Sequence, residues 1–307
     1  VEHDEPMGVI TTRSEMGAEG PVPPLRTLWQ LLETYHSLVY YAPERADRYA
    51  RLGLAGGWMG YFATRSAALG TVPPSVVTAC FYGFAHRLVA RALPDAWTRT
   101  TPADALAARY DVVDAAATRL LGPHGRDPRV AAVAELLVRG VGSAAPHGRP
   151  MFAAHAHLPC PDAPHLALFW AATALRELRG DAHVVALQAT DLSPAASNVL
   201  MTALRLTPGD QRTRRGWTET EWADATDSLR ARGWLTADGD VTLEGRRRRA
   251  QVELVTDRLV DHAWAGVGED ELALLTDVLG DLVQAVVAGG GVPHPNGIGV
   301  PRVGRAP

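Results

Sequence analysis

Residues 211–245 read QRTRRGWTETEWADATDSLRARGWLTADGDVTLEG, and the reading of this stretch decides the fold. Thr218 opens a helical run anchored by Trp217. Trp234–Leu235 and Val241–Leu243 then flank Asp238-Gly239, a dipeptide that signals a hairpin between two short strands. A helix from Ala195 precedes the stretch and another, Gly245 to Ala263, follows it. Helix, helix, hairpin, helix is the order of a winged helix.

Outward from there the pattern is helical. Leu28, Leu31, Leu32, Tyr35, Leu38 and Val39 recur at spacings of three and four, which predicts an amphipathic helix over 25–41 that ends before Pro43. Further helices are predicted after Pro43, over Trp58–Leu69, over Val76–Ala92, and from the N-cap candidate Thr101 with Pro102 at the first helical position. The expected fold is therefore mainly α: a helical bundle over 25–140, a linker and middle helical segment over 141–194, and a winged-helix-like part with a small β-hairpin over 195–288. Residues 1–24 and 289–307 are expected to be disordered tails.

The chain has 307 residues, 47% of them hydrophobic, with a net charge of −4. All 30 basic residues are arginine, as a GC-rich genome favours. Without lysine, Schiff-base chemistry and a phosphate-gripping P-loop are excluded, and anions must be held by guanidinium groups. Cys80 and Cys160 show no metal or redox spacing. No signal peptide or membrane span is apparent, so a cytoplasmic protein is expected. No nucleotide fingerprint appears, and no cofactor is expected.

Three blocks carry a resemblance. Glu33 to Glu44 with His36 and Tyr40, the run Gly57-Trp58-Met59-Gly60-Tyr61-Phe62-Ala63-Thr64-Arg65, and Phe81-Tyr82-Gly83-Phe84 form the first. Leu175-Arg176-Glu177-Leu178-Arg179-Gly180-Asp181-Ala182-His183 is the second, and Arg215-Gly216-Trp217 through Thr256-Asp257 the third. Together they resemble an actinobacterial helix-turn-helix family of largely unknown function, over roughly 25–287. The resemblance implies a winged C-terminal part and relatives that often sit among genes for natural-product assembly. Leu178 and Ala68 depart from the family pattern and hint at a specialised member.

DNA binding is argued against by charge. The would-be reading helix carries Glu219, Glu221, Asp224 and Asp227, and the hairpin tip adds Asp238 and Asp240, so phosphates would be repelled. The basic runs Arg212–Arg215 and Arg246–Arg249 are expected to face solvent. The richest chemistry lies at Arg176, Arg179 and His183, which share one helix face. If Gly180 broke that helix, Asp181 could orient His183 for acid/base work; otherwise an Arg–Asp ion pair between helices accounts for the block. His36 and Tyr40 on one helix, and Trp58, Tyr61 and Arg65 on another, imply with Tyr82 either a lined pocket or a buried network. A metal site at His155, His157, Cys160, Asp162 and His165 is weighed and set aside, because their spacing matches no closed zinc site.

The leading expectation is a cofactor-independent enzyme that cyclises, eliminates or isomerises an anionic small molecule. Asp181, His183, His36 and Tyr61 would be its catalytic groups, and Trp58, Arg65, Tyr82, Arg176 and Arg179 would bind substrate. The alternatives are a ligand-responsive winged-helix transcriptional regulator and a non-catalytic small-molecule-binding protein. A homodimer, or a complex with another pathway protein, is expected in each case.

Overall fold

The computed structural model describes residues 24–300; the expected N-terminal tail over 1–23 and residues 301–307 lie outside the described residues. α1 (Pro24–Tyr41), α2 (Arg45–Arg51), α3 (Gly56–Ser66), α4 (Pro74–Phe81), α5 (His86–Ala90), α6 (Leu93–Arg99), α7 (Pro102–Leu121) and α8 (Arg129–Ser143) build the bundle. α9 (Pro150–Ala156) and α10 (Pro164–Ala189) follow, then α11 (Pro194–Ala203), α12 (Gln211–Arg214), α13 (Glu219–Ala231), α14 (Leu243–Val260) and α15 (Glu269–Ala288). Among the described residues no helix is long and apolar enough to cross a membrane.

The α1 stripe behaves as its spacing predicts. Leu28, Leu31, Leu32, Tyr35, Leu38 and Val39 are all fully buried. Each such side chain contributes about 1.5–3 kcal/mol by leaving water. Thr101 caps α7, its Oγ1 accepting from the Asp104 amide at 3.1 Å. The Val76–Ala92 run is not one helix, because Tyr82 takes a left-handed backbone (φ 44°) that ends α4 and turns the chain into α5.

α10 organises the molecule. It packs against α1, α7, α8, α9 and α14, and it is buried on most sides from Leu168 to Leu187, as an interior helix must be. Leu168, Phe169, Leu175 and Leu178 belong to the large bundle core. Ala186 and Leu187, at its far end, belong to a second core with Leu192, Leu200, Leu229, Trp234 and Val252. The two cores thus share one helix, and the second begins at Ala186. α15 returns to the first core, against α1, α7 and α8.

Two expectations need correction. The β-hairpin is absent among the described residues: only an isolated antiparallel bridge, Leu235 to Val241, marks it. The turn Thr236–Asp240 uses up the chain between the two arms. It is held by the Thr236 amide donating to Asp240 O at 2.8 Å, and Thr242 N donates to Trp234 O at 3.0 Å before α14 begins. The glycines and prolines of 289–307 predict a disordered tail, of which residues 289–300 lie among the described residues. They instead fold back, with Val292, Asn296 and Val300 buried. Asn296 anchors the turn: its Oδ1 accepts from the Ile298 and Val300 amides and its Nδ2 donates to Val300 O.

Candidate functional site

The predicted polar residues meet along α10, but in a different arrangement from the one their spacing suggested. Arg65, on α3, forks onto Glu177, with both N–H···O distances 3.0 Å, and its Nη1 donates to Tyr61 Oη at 2.9 Å. Arg176 donates from Nη1 to Glu177 Oε2 at 2.9 Å and from Nε to Glu33 Oε2 at 3.1 Å. Arg179 faces α14, where it donates to Glu253 at 2.5 Å and Asp257 at 2.6 Å, with Trp29 stacked beneath it. Burial alone would raise the Glu177 carboxyl, but Arg176 and Arg65 outweigh it and hold it well below the ordinary carboxylate range.

α10 runs unbroken through Gly180. Residues two apart on a helix point to opposite sides, so Asp181 does not orient His183. Asp181 instead caps α9, accepting from the Phe152 amide at 2.9 Å, and burial raises its pKa to about 7. His183 turns the other way. Its Nδ1 lies 3.1 Å from Thr256 Oγ1, and burial lowers its pKa to about 3 despite Glu253. His36 is wholly buried between Thr173 Oγ1 (3.0 Å) and Tyr40 Oη (2.9 Å) and stacks on Phe169. Burial, then Arg109 and Arg176, holds it well below its usual value, so it stays neutral.

Five of the expected residues do share a recess. Tyr61, Arg65, Tyr82, Arg176 and His183 line a cavity of about 190 Å³ between the bundle and the C-terminal unit. Trp58 and Tyr61 line an adjoining cavity of about 550 Å³ with Tyr40, Tyr41 and Phe84. His36 and Asp181 line neither, and Arg179 lines a separate cavity of about 560 Å³ beside α1 and α14. Tyr82 also ties the two units together, its Oη donating to Leu192 O at 2.6 Å.

Two arginines expected at the surface belong to these recesses. Arg249 is buried and its Nη1 lies 2.5 Å from Glu253 Oε1. Its signal was the spacing Gly245, Arg249, Val252, Glu253, Thr256, which is the buried face of α14. Arg215 lines both recesses and stacks 4.2 Å from the Phe84 centroid. The weighed metal ligands are dispersed: His155 is buried on α9, Cys160 is exposed, and His165 pairs with Asp114 at 2.6 Å. Among the described residues no group of three or more His, Cys, Asp or Glu could hold a metal ion.

α11 and α13 pack together through Ala196, Val199, Leu200, Ala225 and Leu229, with the short α12 between them in sequence. Thr218 and Glu221 form a reciprocal cap at the start of α13. Thr220, Asp224, Asp227 and Ser228 are exposed along its outer side. The acidity of α13 is largely answered locally: Glu221 pairs with Arg87, Asp227 with Arg230 at 3.0 Å and Glu219 with Arg212 at 3.4 Å. Arg246, Arg247 and Arg248 project into solvent from the first turns of α14, and among the described residues only Arg248 has a carboxylate partner, Glu244.

No curated protein and no solved structure matches this chain. The model of a helix-turn-helix family matches residues 25–293, which covers both cores, and the chain belongs to that family.

Proposed function

We propose that the protein is a transcriptional regulator that binds DNA through its helix-turn-helix unit. The observation that carries this reading is the family membership, which covers nearly the whole chain. It overturns the expectation of a cofactor-independent enzyme. The geometry agrees with that correction, since Asp181 and His183 face different elements and the guanidinium groups of Arg65, Arg176 and Arg179 are already bound to carboxylates. The electrostatic objection to DNA is reduced too, because Glu219, Glu221 and Asp227 each have an arginine within the unit or beside it. Arg246 and Arg247, exposed at the start of α14 and without carboxylate partners among the described residues, stand ready for phosphates.

The test is fluorescence anisotropy with the full chain and DNA fragments from around its own gene, over a salt series. Each phosphate contact contributes about −0.9 to the slope of log affinity against log salt. Replacing both Arg246 and Arg247 with Gln is expected to lower that slope by about 2. Absence of binding to any fragment at low salt would overturn the reading. That outcome would favour a second one, a small-molecule-binding protein in which the helix-turn-helix unit is only a scaffold.

A further inference from the structure

The two adjoining recesses share a wall made by Tyr61, Phe84, Arg215 and Ile298. Four arginines reach the smaller recess, and three of them have carboxylates beside them: Arg65 and Arg176 at Glu177 and Glu33, Arg249 at Glu253. Arg215 is different. Its Nε donates to Gln211 Oε1 at 3.0 Å and its Nη2 to the Gly297 carbonyl, and among the described residues no carboxylate pairs with it. Gln211 is 1% exposed, lines the larger recess and keeps its Nε2 without a hydrogen-bond partner. Arg45 reaches the same recess and likewise has no carboxylate among the described residues. A half-buried guanidinium cannot shed its proton, so its charge must be answered by a partner or remain a cost to the fold. Burial, with the Arg65 and Arg176 charges nearby, indeed pushes Arg215 below its ordinary value.

The rest of the larger recess is aromatic. Trp58 meets Tyr61 edge to face at 5.6 Å between centroids and Phe84 at 5.4 Å, and Tyr40 and Tyr41 complete the wall. Its volume of about 550 Å³ falls in the range of small-molecule sites. Of the two guanidinium groups without a carboxylate, Arg215 is the one stacked on a wall ring, Phe84, and a cation so placed beside a ring-lined space suits a negative charge on a flat apolar body.

We propose that this double recess is a binding site for a small aromatic carboxylate, its carboxylate on Arg215 and its ring among Trp58, Tyr61 and Phe84. A guanidinium and a carboxylate meet through paired, charge-assisted hydrogen bonds. The site is also placed to report its occupancy. Arg215 lies in the link between α12 and α13, and its carbonyl accepts from the Ala85 amide of the bundle at 2.9 Å. A ligand there grips the bundle and the helix-turn-helix unit at once. Binding is a property of the protein alone and does not depend on the DNA reading.

The experiment is calorimetric titration of the full chain with 1-naphthoate and with 1-naphthamide, which keeps the ring and lacks the charge. The carboxylate is expected to bind at least about tenfold tighter than the amide. Arg215→Gln should abolish that preference while its circular dichroism spectrum is unchanged, and Trp58→Leu should weaken both probes alike. Equal affinities for the two probes in the native sequence, or no binding of 1-naphthoate at millimolar concentration, would overturn the proposal, as would an undiminished preference in a folded Arg215→Gln protein.

Discussion

The arginines around α10 and those on the surface of the helix-turn-helix unit are the same side chain in two electrostatic settings. Inside, Arg65, Arg176 and Arg179 reach carboxylates on other elements, among them Glu177, Glu33, Glu253 and Asp257. Outside, Arg214, Arg230 and Arg248 take whatever carboxylate lies three or four residues away, and Arg246 and Arg247 take none among the described residues. Buried pairs are expensive to break because a missing partner leaves a charge stranded in low dielectric. Exposed pairs are screened by water and salt and matter little. The interior set therefore fixes how α1, α3, α10 and α14 sit together, and the surface set remains available to a partner.

The sharpest break in this comparison is Glu177→Gln, which strips the carboxylate shared by Arg65 and Arg176. A loss of about 3–5 kcal/mol in urea unfolding is expected; a loss below about 1 kcal/mol would erase the distinction between the two sets. Because the Glu177 carboxyl is held well below its reference value of 4.5, its contribution is fully present above that pH. It declines only as acid protonates the folded state.

Asp181→Asn comes next and runs in the opposite direction. The folded pKa is raised from 3.8 to about 7, chiefly by burial. The carboxyl's favourable contribution is complete below its unfolded pKa and is lost as pH rises through the folded one. At about pH 8 the Asn variant, which can still accept from the Phe152 amide, should be more stable than the native chain by about 1–2 kcal/mol. The two should converge near about pH 4. A variant less stable than the native chain at the higher pH would show that the charged cap outweighs desolvation.

The smallest effect is expected at Asp227→Asn, which frees Arg230 on the exposed side of α13. Stability should change by less than about 0.5 kcal/mol.

What could be read from the sequence was what is decided locally. The α1 stripe and the Thr101 cap are set within one or two turns, and both were legible. The order of helices around Trp217 and Trp234 also carried through, but the hairpin was oversized because Asp238-Gly239 does not reveal how few residues remain for pairing. The site was harder. Tyr61, Arg65, Tyr82, Arg176 and His183 line one recess, whereas His36, Asp181 and Arg179, expected beside them, lie elsewhere. Their partners were not legible, because Glu33, Glu177 and Glu253 arrive from elsewhere in the chain or fall between the chosen positions. Gly180 was allowed to break a helix that tertiary packing keeps whole. Arg246–Arg249 was treated as one basic block, although a helix must turn its fourth member inward when its first three face out.

The continuity of α10 has a consequence for how the molecule comes apart. At 26 residues the helix is roughly 39 Å long, and its two ends are embedded in different cores. Melting the helix-turn-helix core would release Ala186 and Leu187 and fray a helix on which the bundle depends. The two units are thus expected to share one cooperative unfolding event, with α10 amides exchanging with deuterium at a common slow rate from Leu168 to Leu187. A strain applied at the far end of the molecule would travel through this strut, with no loose joint along it to absorb the load.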